Sequence, residues 1–551
     1  MKAVLFAGLG VAALSGAAQA QSPLSVDPGA VQRRGQETLD FYRLERQLRQ
    51  PEERGPVIDR PAVPGAPAPE DARRELQVNR IETDPSELLT AEEIRAVTAA
   101  VEGRRVTIEQ LFEVVNRLND LYASKGCVTC RAFLPPQDVE GGVVKIRLVE
   151  GKLGKVIVEG NRHTRSDFVG DRIHLKPGEL FSVQQLEDDL VRFNGTTDLR
   201  LRARLQPGEA FGTVDAVVQV AEPPLWQGIV FADNAGRDTV GEYRLGLIVV
   251  NSSLTGNADP LTLTVYGAEG TEAFSASYGV PVGTRGTRLT AFYDRNAIDV
   301  VNGPFVPLDI SGSSWTAGAN LSHPFIVTPQ ARLSGFVGFT AKRSTTQFGP
   351  ATLNDIDVRS TPYGVEYQDV DATGVLFTRH TFTNGFDRLG GDRSFFKYNG
   401  DFNRSWVRPR GELAILRGSW QWSDSDLLPP SEQFQVGGTA TVRGYSEGLL
   451  IGDNGWFLSA EYQLPIDPPG GAPGPGGYQF RGFAFVDAGA AYPFRPGGGT
   501  RGEDYLYSAG IGALINLPLR ITARLAIGVP LTKPANDDQT AKVHFYVQTS
   551  F

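Results

Sequence analysis

The chain has 551 residues, of which 41% are hydrophobic, and its formal net charge at pH 7 is -9. This charge argues against a general nucleic-acid binder, because such proteins present a basic surface to the phosphate backbone. Beyond the extreme N-terminus no run of about 18 apolar residues occurs, which excludes a helical membrane protein. A transmembrane β-barrel passes this test, because only every second residue of its strands faces lipid.

The first twenty residues predict an export signal. Lys2 supplies the charged start, residues 4–14 form a short apolar centre, and residues 18–20 (AQA) form a small-x-small cleavage site. The alternative, a membrane anchor, is disfavoured because the apolar run is too short to span a bilayer. We therefore expect a signal peptide over 1–20 and an exported mature chain.

Residues 31–50 have the composition of a polar helix. Leu44 and Leu48 stand four residues apart with Phe41 near the same stripe, and the remaining surface carries charges of both signs. So polar a helix is not a core element, and by composition alone it is a solvated helix. Closely spaced prolines follow, and their density predicts an extended, semi-rigid linker over 53–75.

Two similar units follow the linker. Residues 76–150 predict the order strand, helix, helix, strand, strand, with a first strand over 76–83 and with capping boxes that begin at Thr90 and Thr107. Residues 151–222 repeat this order. A free strand edge in such a unit can pair with an extended client by β-augmentation, although plain structural spacers fit the pattern as well.

Cys127 and Cys130 are the only cysteines of the chain and form a C-x-x-C pair. A redox motif of thioredoxin type requires a strand-to-helix turn, whereas this pair follows a predicted helix and lies at a strand start. Two cysteines are also too few for a four-ligand zinc site. We expect a structural pair; a disulfide is open to an exported protein but fits an extended strand poorly at this spacing.

From Trp226 to Phe551 helical periodicity gives way to alternation with a period of two. In one such stretch Val337 and Phe339 share one face and Thr340 lies on the other. One apolar and one polar face suit a sandwich or a membrane barrel. Strands near ten residues long, aromatic residues toward strand ends and the terminal phenylalanine favour the barrel. About 326 residues at roughly 20 per strand and turn predict about 16 strands.

A glycine-rich stretch between Phe434 and Gly455 interrupts the alternation. It carries the sequence VRGY, which comprises Val442, Arg443, Gly444 and Tyr445. A loop of this length without secondary structure is usually functional. The segment GYSEG also matches G-x-S-x-G, the nucleophile elbow of hydrolases, but no apolar strand precedes it and no helix follows. With scattered histidines and no P-loop, the sequence predicts no enzyme, no cofactor and no metal site.

An FVDAG strand follows this loop. Phe485, Asp487 and Gly489 share one face of the strand, whereas Val486 and Ala488 share the other. The apolar Val486 face predicts lipid contact, so Asp487 should face the lumen of the barrel.

The VRGY loop and the FVDAG strand resemble the outer-membrane transporters of two-partner secretion, the ShlB/FhaC/HecB family, which share a superfamily with barrel-assembly insertases. The resemblance covers nearly the whole mature chain. It implies a mainly β fold, with a transmembrane barrel of about 16 antiparallel strands over 223–551. Two α+β POTRA domains over 76–150 and 151–222 and an N-terminal helix precede the barrel.

The resemblance also implies roles for single segments. The helix region over 21–52 plugs the pore, and a wet, charged lumen accepts such a polar helix. The loop folds back into the barrel and places Arg443 beside Asp487 on the inner wall, where a guanidinium and a carboxylate form a directional pair. The alternative is that both are ordinary lumen charges. Phe551 resembles the C-terminal signal that barrel-assembly machinery recognises.

The implied function is transport of an exported partner protein of TpsA type, which is a large adhesin, haemolysin or contact-dependent toxin. The POTRA domains would recognise it in the periplasm, and the barrel would pass it to the cell surface. Outer-membrane lipid and barrel-assembly machinery are further expected partners, nucleic acid is not, and the protein is expected to be monomeric. Two alternatives are an insertase of the same superfamily and a passive porin, which needs neither POTRA domains nor a plug.

Overall fold

We describe the fold from a computed structural model of the chain. The structure describes residues 26–49, 58–59, 73–127, 129–425, 428–466, 479–492, 505–534 and 537–551. The predicted signal peptide over 1–20 and most of the proline-rich linker lie outside these residues. The chain divides into two compact units, one of Met1–Glu53 with Pro224–Phe551 and one of Arg54–Pro223.

None of the helices in the described ranges combines the length and the hydropathy that a transmembrane span requires.

The N-terminal helix, α1, spans Pro28–Arg49. Proline suits the first position of a helix because its missing N–H would have no partner there. The Asp27 carboxylate caps this end by accepting a hydrogen bond from the Ala30 amide at 3.1 Å. Arg34 and Phe41 are both buried. The composition alone predicts a solvated helix, but α1 packs inside the barrel of its own unit, where Glu447 pairs with Arg34 and Arg524 pairs with Glu45.

The unit Arg54–Pro223 contains two consecutive α+β modules. After a short strand β1 (Ile58–Asp59), the first module comprises β2 (Glu75–Val78), β3 (Arg80–Thr83), α2 (Ala91–Thr98), β4 (Arg104–Thr107), α3 (Ile108–Ser124), β5 (Arg131–Phe133) and β6 (Val143–Val149). The second comprises β7 (Lys152–Glu159), α4 (Ser166–Gly170), α5 (Val183–Thr196), β8 (Arg200–Pro207) and β9 (Thr213–Ala221). Both predicted capping boxes are present, at Thr90 and Thr107.

The predicted single strand over 76–83 is wrong, because the structure divides it at Asn79. β2 pairs antiparallel with β4, whereas β3 pairs parallel with β6. The Asn79 amide donates to the Gly142 carbonyl at 2.7 Å, and its side chain donates to the Gly141 carbonyl at 2.9 Å. These bonds turn the backbone away from the first partner and toward the second.

The cysteine pair forms a disulfide, with the Cα atoms of Cys127 and Cys130 5.4 Å apart. The expectation that this spacing fits poorly rested on placing the pair at the start of an extended strand. In the structure both residues lie in the connection between α3 and β5, where the chain turns and brings the two Cα atoms within disulfide range. Both cysteines are buried in the core of the first module, beside residues such as Tyr122.

The second module has a sheet of order β1-β8-β9-β7. Ile58 and Asp59 pair in parallel with Ala203 and Arg204 of β8. A short segment of the linker region therefore occupies the β8 edge of this sheet.

The barrel consists of 16 antiparallel strands within the described residues, and it is closed. The strands before the long loop are β10 (Trp226–Asp233), β11 (Arg244–Asn251), β12 (Leu261–Ala268), β13 (Thr271–Val282), β14 (Thr287–Asp299), β15 (Ile310–Val327), β16 (Ala331–Phe348), β17 (Ala351–Asp371), β18 (Gly374–Phe386), β19 (Phe395–Val407) and β20 (Leu413–Ser423). Two short strands of the loop, β21 (Phe434–Val436) and β22 (Leu450–Gly452), pair with each other outside the barrel sheet.

The barrel continues after the loop with β23 (Asn454–Ile466), β24 (Gln479–Tyr492), β25 (Tyr505–Leu517), β26 (Ile521–Pro530) and β27 (Lys542–Ser550). Pairing of β10 with β27 closes the cylinder from Ile229 to Asp233. The terminal Phe551 extends this seam by exchanging backbone hydrogen bonds with Gly228. Phe551 therefore lies at the barrel seam.

The two faces of the strands differ as the alternation predicts. On β16, Val337 and Phe339 are 48% and 42% exposed on the outer surface, whereas Thr340 is 7% exposed and faces the interior. The same rule holds on β23, where Leu458 and Tyr462 face outward. An apolar exterior and a polar interior are the arrangement of a barrel that sits in lipid.

Lysine substitutions at Val337 and Thr340 test this assignment of faces. Val337→Lys puts an ammonium group on the outer face, and we expect it to destabilise the folded barrel by about 2–4 kcal/mol near the bilayer midplane. Thr340→Lys puts the same charge into the interior, beside a cavity of about 600 Å³, and should be tolerated. The measurement is the temperature at which the compact form disappears in heat-modifiability gels. Equal losses for the two variants would contradict the assignment.

Candidate functional site

The loop between β20 and β23, residues 424–453, folds into the barrel and carries VRGY near its tip. Arg443 is 1% exposed there. Its backbone amide donates to Asp487 Oδ2 at 3.0 Å, and its side chain donates to the same carboxylate from Nε at 2.8 Å and from Nη2 at 2.9 Å. The structure thus brings Arg443 and Asp487 together in a bidentate pair, which fixes orientation as well as distance.

Two further wall residues complete the donors of Arg443. Nη1 donates to the Glu461 carboxylate, and Nη2 donates to Ser459 Oγ at 3.1 Å. The guanidinium also lies over the ring of Phe485, 3.4 Å from its centroid. Phe485 and Asp487 lie on the same face of β24 and both bind Arg443. Phe485 does so by a cation–π contact and Asp487 by its carboxylate.

Gly444 adopts a φ of 92°, which strains any residue with a side chain. A Cβ on it would lie 2.9 Å from the backbone of Gly528 on β26, so the loop tip and the wall are in backbone contact. The Gly444 amide donates to His544 Nε2 at 2.9 Å, and Nδ1 of the same ring lies 3.0 Å from Thr439 Oγ1. His544 therefore connects two points of the loop to the last strand.

The other two motif residues pack and hydrogen-bond beside the arginine. Val442 and Tyr445 are buried in a small apolar cluster whose remaining core members are Phe434, Val436, Ala491 and Leu506. The Tyr445 hydroxyl donates to the Tyr507 carbonyl at 2.7 Å and lies 2.8 Å from Thr532 Oγ1. All four VRGY residues therefore contact the wall or the loop's own core.

Gly489 explains how the loop approaches β24 so closely. A Cβ on this residue would lie 2.7 Å from Val436 Cγ1 and 3.0 Å from Val442 Cγ2. Because those methyl groups belong to the buried loop core, a side chain at this position would push the loop off the wall.

The helix α1 is bound to the same loop and wall. Arg34 Nε donates to Glu447 Oε2 at 2.8 Å, and both side chains are buried. Near the other end of α1, Glu45 accepts a hydrogen bond from Arg524, whose second nitrogen reaches Glu461 at 2.7 Å. Glu461 therefore receives both Arg524 and Arg443. A continuous chain of ion pairs runs from α1 to the loop tip.

Sequence reasoning missed four wall residues of this site: Ser459, Glu461, Arg524 and His544. Each lies on the inner face of its strand, so the alternation of the sequence already indicated that its side chain points into the lumen. The alternation does not show which of the many inward polar residues contacts the loop. Phe551 is not among the residues that contact Arg443; its backbone pairs with that of Gly228 at the seam.

The described residues contain no group of three or more histidine, cysteine or acidic side chains placed to hold a metal ion. Ser446, the serine of GYSEG, donates from Oγ to Asp238 Oδ2 at 2.7 Å and lies within the loop rather than at a strand-to-helix turn. The geometry of a nucleophile elbow is therefore absent at this described serine.

Alanine at Gly489 tests the close packing of loop and wall. We expect Gly489→Ala to loosen residues 434–453, because its methyl group would displace Val436 and Val442. Hydrogen–deuterium exchange of peptides from this loop should be faster than in the native chain. Gly482→Ala on the same strand is the control, since its Cβ would meet only the end of the flexible Ile466 side chain, at 3.2 Å. Equal loop protection in both variants would refute the packing argument.

Comparisons with known proteins match the chain to one family. The family described as haemolysin secretion/activation protein ShlB/FhaC/HecB matches residues 212–514, and the family described as POTRA domain, ShlB-type, matches residues 76–151. The chain is 25% identical to the outer membrane transporter CdiB of Dickeya dadantii, over 87% of this chain and 86% of that protein. It is 23% identical to the heme/hemopexin transporter protein HuxB of Haemophilus influenzae, over 71% and 72% of the two chains.

The solved structure of CdiB from Escherichia coli has the same fold, with a TM-score of 0.66 and 20% identity over 95% of this chain and 98% of that one. Because the family match spans more than half of the sequence, the chain belongs to the ShlB/FhaC/HecB family of haemolysin secretion/activation proteins, and it is an outer-membrane transporter with periplasmic POTRA domains.

Proposed function

We propose that the contact of Arg443 with Asp487 and Glu461 keeps this transporter competent to move a secreted partner protein of TpsA type through its barrel. The observation that carries the proposal is the complete burial of one guanidinium whose donors reach three side chains on two neighbouring strands. The transport activity follows from the family. The role of the motif residues is our inference.

The physical argument concerns the position of the loop in the lumen rather than the free energy of folding. Removing a charge from water costs several kcal/mol, and an ion pair in such a site recovers this only with good geometry and further hydrogen bonds. Arg443 meets those conditions with a bidentate carboxylate, a second carboxylate and a hydroxyl group. A loop held this way has one position in the lumen, because a small displacement leaves buried charges without partners. The pore therefore keeps a defined cross-section while a chain passes.

We further propose that α1 closes the lumen at rest. The helix is anchored to the wall by three strands in succession, through Asn296 of β14, Ser314 of β15 and Ser344 of β16. Such contacts are hydrogen bonds between polar groups that water can replace. α1 also joins two small apolar clusters of the lumen, through Val31 and through Phe41 with Tyr42, so its release breaks these contacts as well as the polar ones.

The partner's entry would begin at the POTRA domains. An extended segment can add to an exposed sheet edge by backbone hydrogen bonds. Folding of the partner outside the cell then draws the equilibrium outward by mass action. By analogy with the family, the partner is a large adhesin, haemolysin or contact-dependent toxin.

Several further assignments belong to this proposal. The 1–20 segment is cleaved after export, the transporter is monomeric, lipid covers the outer face, and barrel-assembly machinery recognises the C-terminal strand that ends at Phe551. The α1 helix and the presence of two POTRA domains favour secretion over the insertase function of the same superfamily. A passive porin would need neither.

Substitution of Arg443 by alanine tests the proposed role of its contact with Asp487 and Glu461. Arg443→Ala should abolish secretion of the partner, because it leaves Asp487 and Glu461 buried without their shared cation, while the barrel still inserts in the outer membrane. Secretion is measured by the partner at the cell surface or in the medium, and insertion by heat-modifiability. Arg343→Ala is the matched control, since Arg343 forms a solvent-exposed pair with Asp355. Native secretion by Arg443→Ala would refute the role of this residue.

Deletion of residues 21–50 tests the plug. We expect the conductance of the purified protein in planar lipid bilayers to rise, because α1 no longer fills part of the lumen. A deletion variant that conducts like the native chain would contradict the plug assignment.

A further inference from the structure

A second cluster of buried charges lies at the beginning of the VRGY loop, away from its tip. The chain forms a short 3-10 turn there, Pro430–Glu432, before β21. Glu432 is 2% exposed. Neither the VRGY nor the FVDAG motif includes this residue.

Each oxygen of the Glu432 carboxylate meets a different lysine of the barrel wall. Oε1 lies 2.6 Å from the ammonium group of Lys342 on β16, and Oε2 lies 2.6 Å from that of Lys397 on β19. The backbone of the same residue is held as well. Its carbonyl accepts hydrogen bonds from Lys397 Nζ at 3.1 Å and from Gln421 Nε2 at 3.0 Å.

These contacts fix the position of the turn. β16 and β19 are three strands apart in the barrel order, so one carboxylate connects separate parts of the wall. A buried carboxylate with two ammonium partners has little freedom to move, because any shift lengthens at least one of the two ion pairs.

The turn Pro430–Glu432 also supports α1. Gly29 approaches it so closely that a Cβ there would lie 3.0 Å from Ser431 Cβ and 3.3 Å from Ser344 Oγ. Arg33 Nη1 donates to the Gln433 carbonyl at 2.6 Å, one residue beyond Glu432. The first turns of the helix are thus enclosed between the wall and a turn that Glu432 holds in place.

We propose that Glu432 is a positioning residue that retains α1 in the lumen, and that it acts as a second anchor of the loop, separate from Arg443. Its partners, Lys342, Lys397 and Gln421, differ from those of Arg443, which lie on β23 and β24. Residues without shared partners usually contribute independently. The tip anchor therefore sets transport competence, and the base anchor sets how firmly the plug is held. This inference rests on the proposed role of α1 as the plug.

Neutralising the carboxylate tests the inference in planar lipid bilayers with the full mature chain. Glu432→Gln keeps the size of the side chain but removes its charge, and the fraction of time spent in the open state should rise about tenfold, equivalent to about 1.4 kcal/mol. Lys342→Gln should also open the pore, while leaving the Lys397 pair to maintain the fold. Lys342→Arg keeps the charge beside an open cavity and should stay closed like the native chain.

The control is Asp355→Asn, which breaks the exposed pair made by Arg343, the outward-facing neighbour of Lys342 on the same strand. It should leave gating unchanged. Heat-modifiability establishes that each variant is folded, and hydrogen exchange of residues 442–445 reports the tip anchor. That exchange should stay native in Glu432→Gln if the two anchors are separate.

Four outcomes would overturn the inference. In one, deletion of residues 21–50 opens the pore while Glu432→Gln and Lys342→Gln remain closed. In the second, Lys342→Arg opens as far as Lys342→Gln, which shows that charge is not what matters. In the third, Glu432→Gln exposes residues 442–445 to exchange, which makes the two anchors one unit. In the fourth, the deletion itself leaves conductance unchanged, which removes the plug assignment and this inference with it.

Discussion

The buried ion pair between Arg443 and Asp487 is the interaction on which the interior of the barrel depends. An arginine side chain cannot give up its proton in a protein, so once it is folded into the lumen it must find anions there. Asp487 meets it with both carboxylate oxygens, and Glu461 supplies a second negative charge. Because Glu461 also receives Arg524, which reaches Glu45 on α1, the same constraint extends from the loop to the helix.

This arrangement requires that the loop packs closely against the wall. The loop tip meets the wall at the level of the backbone, where Gly444 faces Gly528, and its apolar core rests on Gly489. A Cβ at any of the three would lie within 3.0 Å of an atom across the interface between loop and wall. Gly444, Gly528 and Gly489 therefore allow the loop to approach the wall closely.

The lumen thus differs from the core of a soluble domain. It is filled by a helix and a loop that combine buried ion pairs and hydrogen bonds with small apolar clusters, and a cavity of about 600 Å³ remains beside them. A hydrophobic filling would be stable but could not be displaced by a polar, extended client. Polar contacts specify one resting arrangement and leave it reversible. The first module, whose core is apolar and joined by the Cys127–Cys130 disulfide, contains no such requirement.

The sequence by itself determined the class of fold, because local signals decide it. Alternation with a period of two separates the faces of the strands, capping boxes mark α2 and α3, and VRGY with FVDAG identifies the loop and the strand it meets. Only the tertiary structure decided which inward residues join the site. Many lumen residues share the inward-facing position of Ser459, Glu461, Arg524 and His544, and only the closure of the barrel brings these four to the loop. The disulfide and the break at Asn79 also depended on local turns that alternation does not encode, because a period describes which face a residue takes and not where the chain bends.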